Sequence, residues 1–191
     1  MKNSNKIIAT IIFITLGFLS LAGCASPNIE TTPSATDNPQ VTAIKNIRAV
    51  MGLPNLPLES KGMDVMSNSP SGNLSVVIYV DSLGRRFSVE PQSNIVVEMD
   101  ARDLLASVSA SAPVVSQDQL TITALRIAKA TTPNFDSLLP SLTYSEGGKI
   151  DNYFFDWRAQ GLPGQMMPPF LQIGFHKSGL IFAYINTLLF K

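Results

Sequence analysis

Apolar residues in this chain fall into one continuous run, one depleted stretch, and then a long series of periodic segments. The run covers residues 7–21, fifteen mostly apolar positions behind Lys2 and Lys6. That length suits the core of a signal peptide and falls short of the roughly 20 residues a spanning helix needs. Residues 25–40 are rich in Ser, Thr, Pro and Asn and hold almost no large apolar side chain. They read as a flexible tether, reaching roughly 20–25 Å on average.

Periodicity begins at Val41. Val41, Ile44, Ile47 and Met51 recur at helical spacing, Asn38 and Pro39 suit the N-cap and first turn, and Gly52 with Pro54 stops the helix. Residues 63–66 read as a short strand. Leu74, Val76, Ile78 and Val80 alternate with Ser75, Val77 and Tyr79, the pattern of a mostly buried strand. Residues 81–84 turn, Phe87 and Val89 open another strand, and 91–94 turn again. Ile95, Val97 and Met99 then continue on one face. Residues 100–108 predict a short helix capped by Asp100, and 109–115 a connector.

The order then recurs. Ser116 and Gln119 form a capping-box pattern, Leu120, Ala124, Ile127 and Ala128 make a helical stripe, and Pro133 ends it. Residues 142–145 suggest a short strand, Gly147-Gly148 a turn, and 150–157 a strand with Tyr153, Phe155 and Trp157 on one face. Residues 170–175 place Leu171, Ile173 and Phe175 inward, 177–179 turn, and 180–185 close the sheet. The expected fold class is α+β: two tandem repeats, each a helix with a three-to-four-stranded antiparallel sheet. The expected organisation is a signal peptide over 1–23, a tether over 24–40, a first repeat over 41–100, a connector over 101–117 and a second repeat over 118–191.

Charge narrows the partners. The 191 residues carry 14 basic and 14 acidic side chains. Removing residues 1–23 takes away Lys2 and Lys6, leaving 12 against 14 and a net charge of about −2. That argues against nucleic acid and against a polybasic membrane contact. Cys24 is the one cysteine, so the domain forms no internal disulfide and burial must stabilise it.

Leu21-Ala22-Gly23-Cys24 resembles the lipobox of bacterial lipoproteins. The resemblance implies export, cleavage before Cys24, and a diacylglycerol thioether with an N-acyl chain on that cysteine. Two or more chains anchor stably where one binds marginally. Ala25, rather than an aspartate, resembles the pattern of outer-membrane lipoproteins. In a one-membrane cell the same anchor implies the outer face of the plasma membrane.

A second resemblance rests on Ile122-Thr123-Ala124-Leu125-Arg126-Ile127-Ala128, Asn152-Tyr153-Phe154-Phe155-Asp156-Trp157-Arg158 and Ile173-Gly174-Phe175-His176-Lys177-Ser178-Gly179-Leu180-Ile181. These resemble the helix, aromatic strand and strand–Ser-Gly–strand hairpin of PepSY-type domains, over about 118–187 and more loosely 41–100. The first copy departs, with Asn94 in place of the hairpin glycine. The resemblance implies a small non-enzymatic module, with modulation of an envelope or secreted peptidase as its expected role. It carries over no catalytic or binding residue.

Catalytic patterns are sparse. His176 is the one histidine and falls at a turn beside Lys177; neither HExxH, GxSxG, SxxK nor a phosphate loop occurs. Asp151 and Asp156 bracket the aromatic strand on opposite faces, unsuited to shared acid–base work. Glu146 could meet Asp151 near the Gly147-Gly148 turn. No cofactor and no metal are expected. The candidate partner-binding element is the loop 159–169, with Leu162, Met166 and Met167 as its adaptable apolar residues. Leu162 and Met166 could instead fold back to plug the end of the core. Two functional classes lead: a tethered interaction module, and a tethered carrier of a small ligand or peptide; a third, a hydrolase, is disfavoured because His, Cys and acidic residues form no converging cluster in the sequence.

Overall fold

The computed structural model describes residues 38–70 and 72–190. Cys24, the signal segment and most of the tether lie outside the described residues. Helix α1 (Pro39–Met51) opens the domain. The Asn38 side chain accepts from the backbone N–H of Gln40 and Val41, and Gly52 ends the helix at φ 70°, a conformation glycine adopts without Cβ strain. A four-strand meander comes next: β1 (Leu58–Ser69), β2 (Gly72–Asp81), β3 (Arg86–Glu90) and β4 (Ile95–Asp100). A 3-10 turn over Arg102–Ser107 leads to α2 (Gln117–Thr131), whose capping box between Ser116 and Gln119 is formed as expected. The short α3 (Phe135–Leu138) and a second meander complete the chain: β5 (Thr143–Lys149), β6 (Asn152–Arg158), β7 (Phe170–His176) and β8 (Ile181–Asn186).

The α+β class stands, but the two expected tandem repeats, each a helix with its own three-to-four-stranded sheet, do not form. All eight strands build one antiparallel sheet in the order β1-β2-β3-β4-β8-β7-β6-β5. β4 and β8 join the halves through Glu98–Ile185, Met99–Tyr184 and Asp100–Ala183. Alone, each meander would present β4 or β8 as an unpaired edge, and pairing the two satisfies both rows of backbone groups. Residues 41–100 and 118–191 therefore share one sheet rather than forming two.

Helices α1 and α2 lie side by side on one face, tied by Arg126 Nη1 donating to the Val50 carbonyl at 2.8 Å. Beneath them Ile44, Ile47, Leu120, Ala124 and Ile127 pack on Phe87, Met99, Phe155, Leu171, Ile173 and Tyr184. Phe135 of α3 enters the same core edge-on to Trp157, 5.6 Å between ring centres. Tyr153, Phe155 and Trp157 thus serve the core, and Phe155 and Trp157 are buried.

Three strand expectations need correction. Val97 does not share a face with Met99. A bulge between Ser88 and Val89 leaves Val97 as an extra residue in β4, so it turns to the face opposite the helices while Val96 and Met99 face them. The second half repeats the device: a shift between Gly174 and Phe175 leaves Phe182 as the extra residue of β8. Gly147-Gly148 is not a turn either. Both lie inside β5, where a Cβ on Gly148 would collide with the Asn152 carbonyl, and the chain reverses at Ile150-Asp151. The strand expected over 63–66 is also longer, running from Leu58 to Ser69.

Candidate functional site

One face of the sheet carries no helix among the described residues, and on this helix-free face polar chemistry gathers. The alternation of β2 turns Val76 and Ile78 to this side, where they pack with Val97 beneath Met66 and Phe190. Beside that patch, β1, β3, β4 and the 3-10 turn deliver five charged groups: Asp64, Arg86, Glu98, Asp100 and Arg102. They line a cleft of about 220 Å³. A second cleft of about 300 Å³ shares Glu98, Asp100 and Arg102 and continues over Gln172, Phe182 and Phe154. The two form one trough across the middle of the sheet.

Its floor depends on a glycine. The Phe182 ring lies over Gly174, where an added Cβ would meet ring carbons at 2.9 Å. Phe182 also stands edge-on to Phe154 at 5.3 Å. Gly174 thus keeps the second cleft open by letting the bulged Phe182 lie flat against the strand.

The charges in the trough are unequal. Arg86 Nη2 donates to Asp64 Oδ2 at 2.6 Å. Arg102 Nε donates to both carboxylate oxygens of Asp100, at 2.9 and 3.1 Å, and its backbone N–H to the same group at 3.0 Å. Those hydrogen bonds hold the Asp100 carboxyl below the usual range. A hydrogen bond from the Val65 N–H, then the one from Arg86, does the same for Asp64. Glu98 differs. It is half-buried and accepts from the Ser88 hydroxyl at 3.2 Å. Burial pushes its carboxyl up; Asp100 adds to the rise, and Ser88, Arg86 and Arg102 only partly oppose it.

The residues expected to act are dispersed. Leu162 and Met166 are 66% and 78% exposed, and Met167 is half-buried. Leu162 and Met166 therefore do not plug the core. The loop neck is closed by Ala159 N–H to the Pro169 carbonyl at 2.9 Å. At its tip the Met166 sulfur lies 3.5 Å from where a Cβ of Gly72 would stand, so the loop meets the β1–β2 hairpin at one end of the open face. His176 is half-buried at the end of β7, its Nδ1 bonded to the Ser178 hydroxyl at 2.8 Å. Asp151 pairs with Lys177 at 2.6 Å, and Asp156 accepts from Gln172 at 2.9 Å. Glu146 does not meet Asp151; it bonds to Gln117 and Tyr144. Among the described residues no three His, Cys, Asp or Glu side chains converge as metal ligands.

A third cleft, about 280 Å³, opens on the helix side. Ala43, Ile47, Val50, Val96, Tyr184 and Leu189 make its wall mainly apolar, and burial pushes the Tyr184 hydroxyl up to about 12.

Sequence reasoning passed over the trough because its members are spread over residues 64–185 and form no motif. One local signal existed. Glu98 comes after Val97 inside a strand of apolar residues, an ionisable group where burial is expected. No family model, curated protein or solved structure matches the chain.

Proposed function

We propose that this protein is a lipid-tethered, non-enzymatic interaction module that docks a polypeptide partner on the helix-free face of its sheet. The trough carries this reading: a sheet face with a built polar centre and apolar flanks, and no helix over it among the described residues. Lipid on Cys24 would hold the module at a bacterial membrane, outside the cytoplasm, and the residues between Cys24 and the α1 cap at Asn38 would give it reach. The PepSY-type resemblance names an envelope or secreted peptidase as the class of partner to be modulated. Asp64 and Asp100 are each closed by an arginine, and His176 is held by Ser178, so none of them is poised beside Glu98 for proton transfer.

The test is site-specific photo-crosslinking in cells of the original host. A photoreactive residue at Arg102, on the trough rim, is compared with one at Ile122, exposed on α2. Adducts with one discrete protein at Arg102 and none at Ile122 are expected. The reverse pattern overturns the open-face reading. Cys24→Ala tests the anchor separately by moving the protein out of the membrane fraction.

The helix-side cleft favours the second reading, a tethered carrier, because its wall is mainly apolar. Native mass spectrometry of the purified protein decides it. A co-purifying small molecule displaced by Val50→Trp supports the carrier, and a clean protein mass counts against it.

A further inference from the structure

Resting on the open-face reading, we propose that Glu98 is the socket for one arginine or lysine side chain on an extended segment of that polypeptide partner. Charge balance comes first. The trough holds three carboxylates and two guanidiniums, and both guanidiniums are already committed, Arg86 to Asp64 and Arg102 to Asp100. Glu98 has a neutral hydroxyl, Ser88, as its hydrogen-bond donor. An ionised carboxylate offers about four acceptor sites and receives a guanidinium through two parallel bonds. Of the three carboxylates, Asp64 and Asp100 each accept from a guanidinium, and Glu98 accepts from a hydroxyl instead.

Position and size select the occupant. Glu98 borders both clefts, with Val76 and Ile78 walling one and Phe182 and Ile185 the other. Arginine and lysine bury their methylene stems along such apolar walls while the charged head finds its partner. The trough runs from Asp64 on β1 to Phe154 on β6, six strand spacings in the sheet order. At about 4.8 Å per spacing this is about 29 Å, the length of roughly nine extended residues. A free amine would fill only its middle. A bare metal ion finds too few converging ligands among the described residues.

The socket is sensitive to pH. The groups facing Glu98 are Asp64 from β1, Arg86 and Ser88 from β3, Asp100 from β4, Arg102 from the 3-10 turn, and the uncharged Ala183 and Ile185 from β8. Asp64 and Asp100 are held low while burial pushes Glu98 up, so Glu98 is the carboxyl of this set that takes up a proton first as pH falls. An arriving cation favours the ionised carboxylate. Binding therefore releases a proton and strengthens as pH rises through the raised Glu98 value.

The test uses the purified full chain in detergent micelles and fluorescence anisotropy. The probes are labelled nine-residue peptides of alternating leucine and serine with arginine, citrulline or glutamate at the centre. At neutral pH the arginine peptide is expected to bind about ten-fold tighter than its citrulline twin, a ratio that closes as the buffer is acidified. Glu98→Gln should erase the preference without lowering the melting temperature. Ser88→Ala should keep it and move its pH midpoint upward, because the hydroxyl that favours the carboxylate is gone. Equal binding of all three peptides to the wild type overturns the socket and leaves an open face that docks polypeptides without it. Absence of binding by every peptide, or a preference that survives Glu98→Gln, also overturns it. Spermidine competing as well as the arginine peptide would assign the site to a free amine instead. Crosslinking at Arg102 reports on the open face independently of each result.

Discussion

Asp81→Asn probes the ion cluster that fastens α1 to the sheet. Arg48 Nη2 and Arg85 Nε both reach Asp81 Oδ2, at 2.9 and 2.6 Å, and the Arg48 and Asp81 side chains are fully buried. The two guanidiniums also bind the segment between α1 and β1, Arg48 at the Leu56 carbonyl (2.7 Å) and Arg85 at the Pro54 carbonyl (3.2 Å). Arg48 further stacks over Phe87 at 4.8 Å. Asp81 Oδ1 closes the adjoining turn by accepting from the N–H of Leu83 and Arg85. Asparagine keeps the shape and the turn contacts but leaves two buried cations with no counter-charge. Stranding one member of a buried pair costs about 3–5 kcal/mol. The retained hydrogen bonds place this change near the lower end, about 3 kcal/mol. For a chain of this size that is about 6–12 °C in melting temperature.

Urea unfolding should show a lower midpoint with an unchanged slope. Combining Arg48→Met with Asp81→Asn should cost less than the sum of the two single changes, because the aspartate change then strands one guanidinium, Arg85, rather than two. The pH dependence has a definite sign. Burial alone would raise the Asp81 carboxyl, but the hydrogen bonds from Arg85 outweigh it and hold the group below its ordinary 3.8. Its contribution is therefore present above the unfolded value and lost as pH falls through the folded one. The gap between wild type and Asp81→Asn should narrow in strong acid. A cost under about 1 kcal/mol at neutral pH, or a gap that widens in acid, would refute the reasoning.

Gly174→Ala should force Phe182 off the strand and lower stability by about 1–3 kcal/mol, visible in calorimetry and in shifted aromatic resonances. Unchanged Phe182 and Phe154 signals would show that the trough floor does not rest on this glycine. Ile150 holds φ 56° while 96% exposed, a costly conformation for a β-branched residue. Ile150→Gly should therefore raise stability by about 1 kcal/mol in urea unfolding, and a loss would contradict the strain. Met166→Asp with Met167→Asp should abolish crosslinking to a partner while leaving the melting temperature nearly unchanged, since Met166 is mostly exposed. A large drop in stability would instead make the loop a structural brace for the β1–β2 hairpin.

Local chemistry was legible wherever neighbours in sequence decide the outcome. Asn38 and Gly52 bound α1, and the capping box starts α2, because cap and helix lie within a few residues of each other. The inward residues of β7 came from a period of two. Phe135 was not legible: α3 is a single turn, too short for periodicity, and its burial comes from the core it enters, edge-on to the Trp157 ring. Val97 and Phe182 were misplaced or unremarked for a different reason. A bulge inserts one residue and reverses the facing of the residues beyond it, and its position depends on the partner strand.

By itself, then, the sequence determined the α+β class, both main helices with their caps, and most strand positions. Tertiary structure decided that β4 pairs with β8, which turns two meanders into one sheet and puts Glu98 at its middle. It also decided that Asp64 reaches Arg86 while Glu98 is left with a hydroxyl. Helix caps are satisfied within a few residues, whereas strand edges and buried charges are satisfied only by groups that folding brings from elsewhere in the chain.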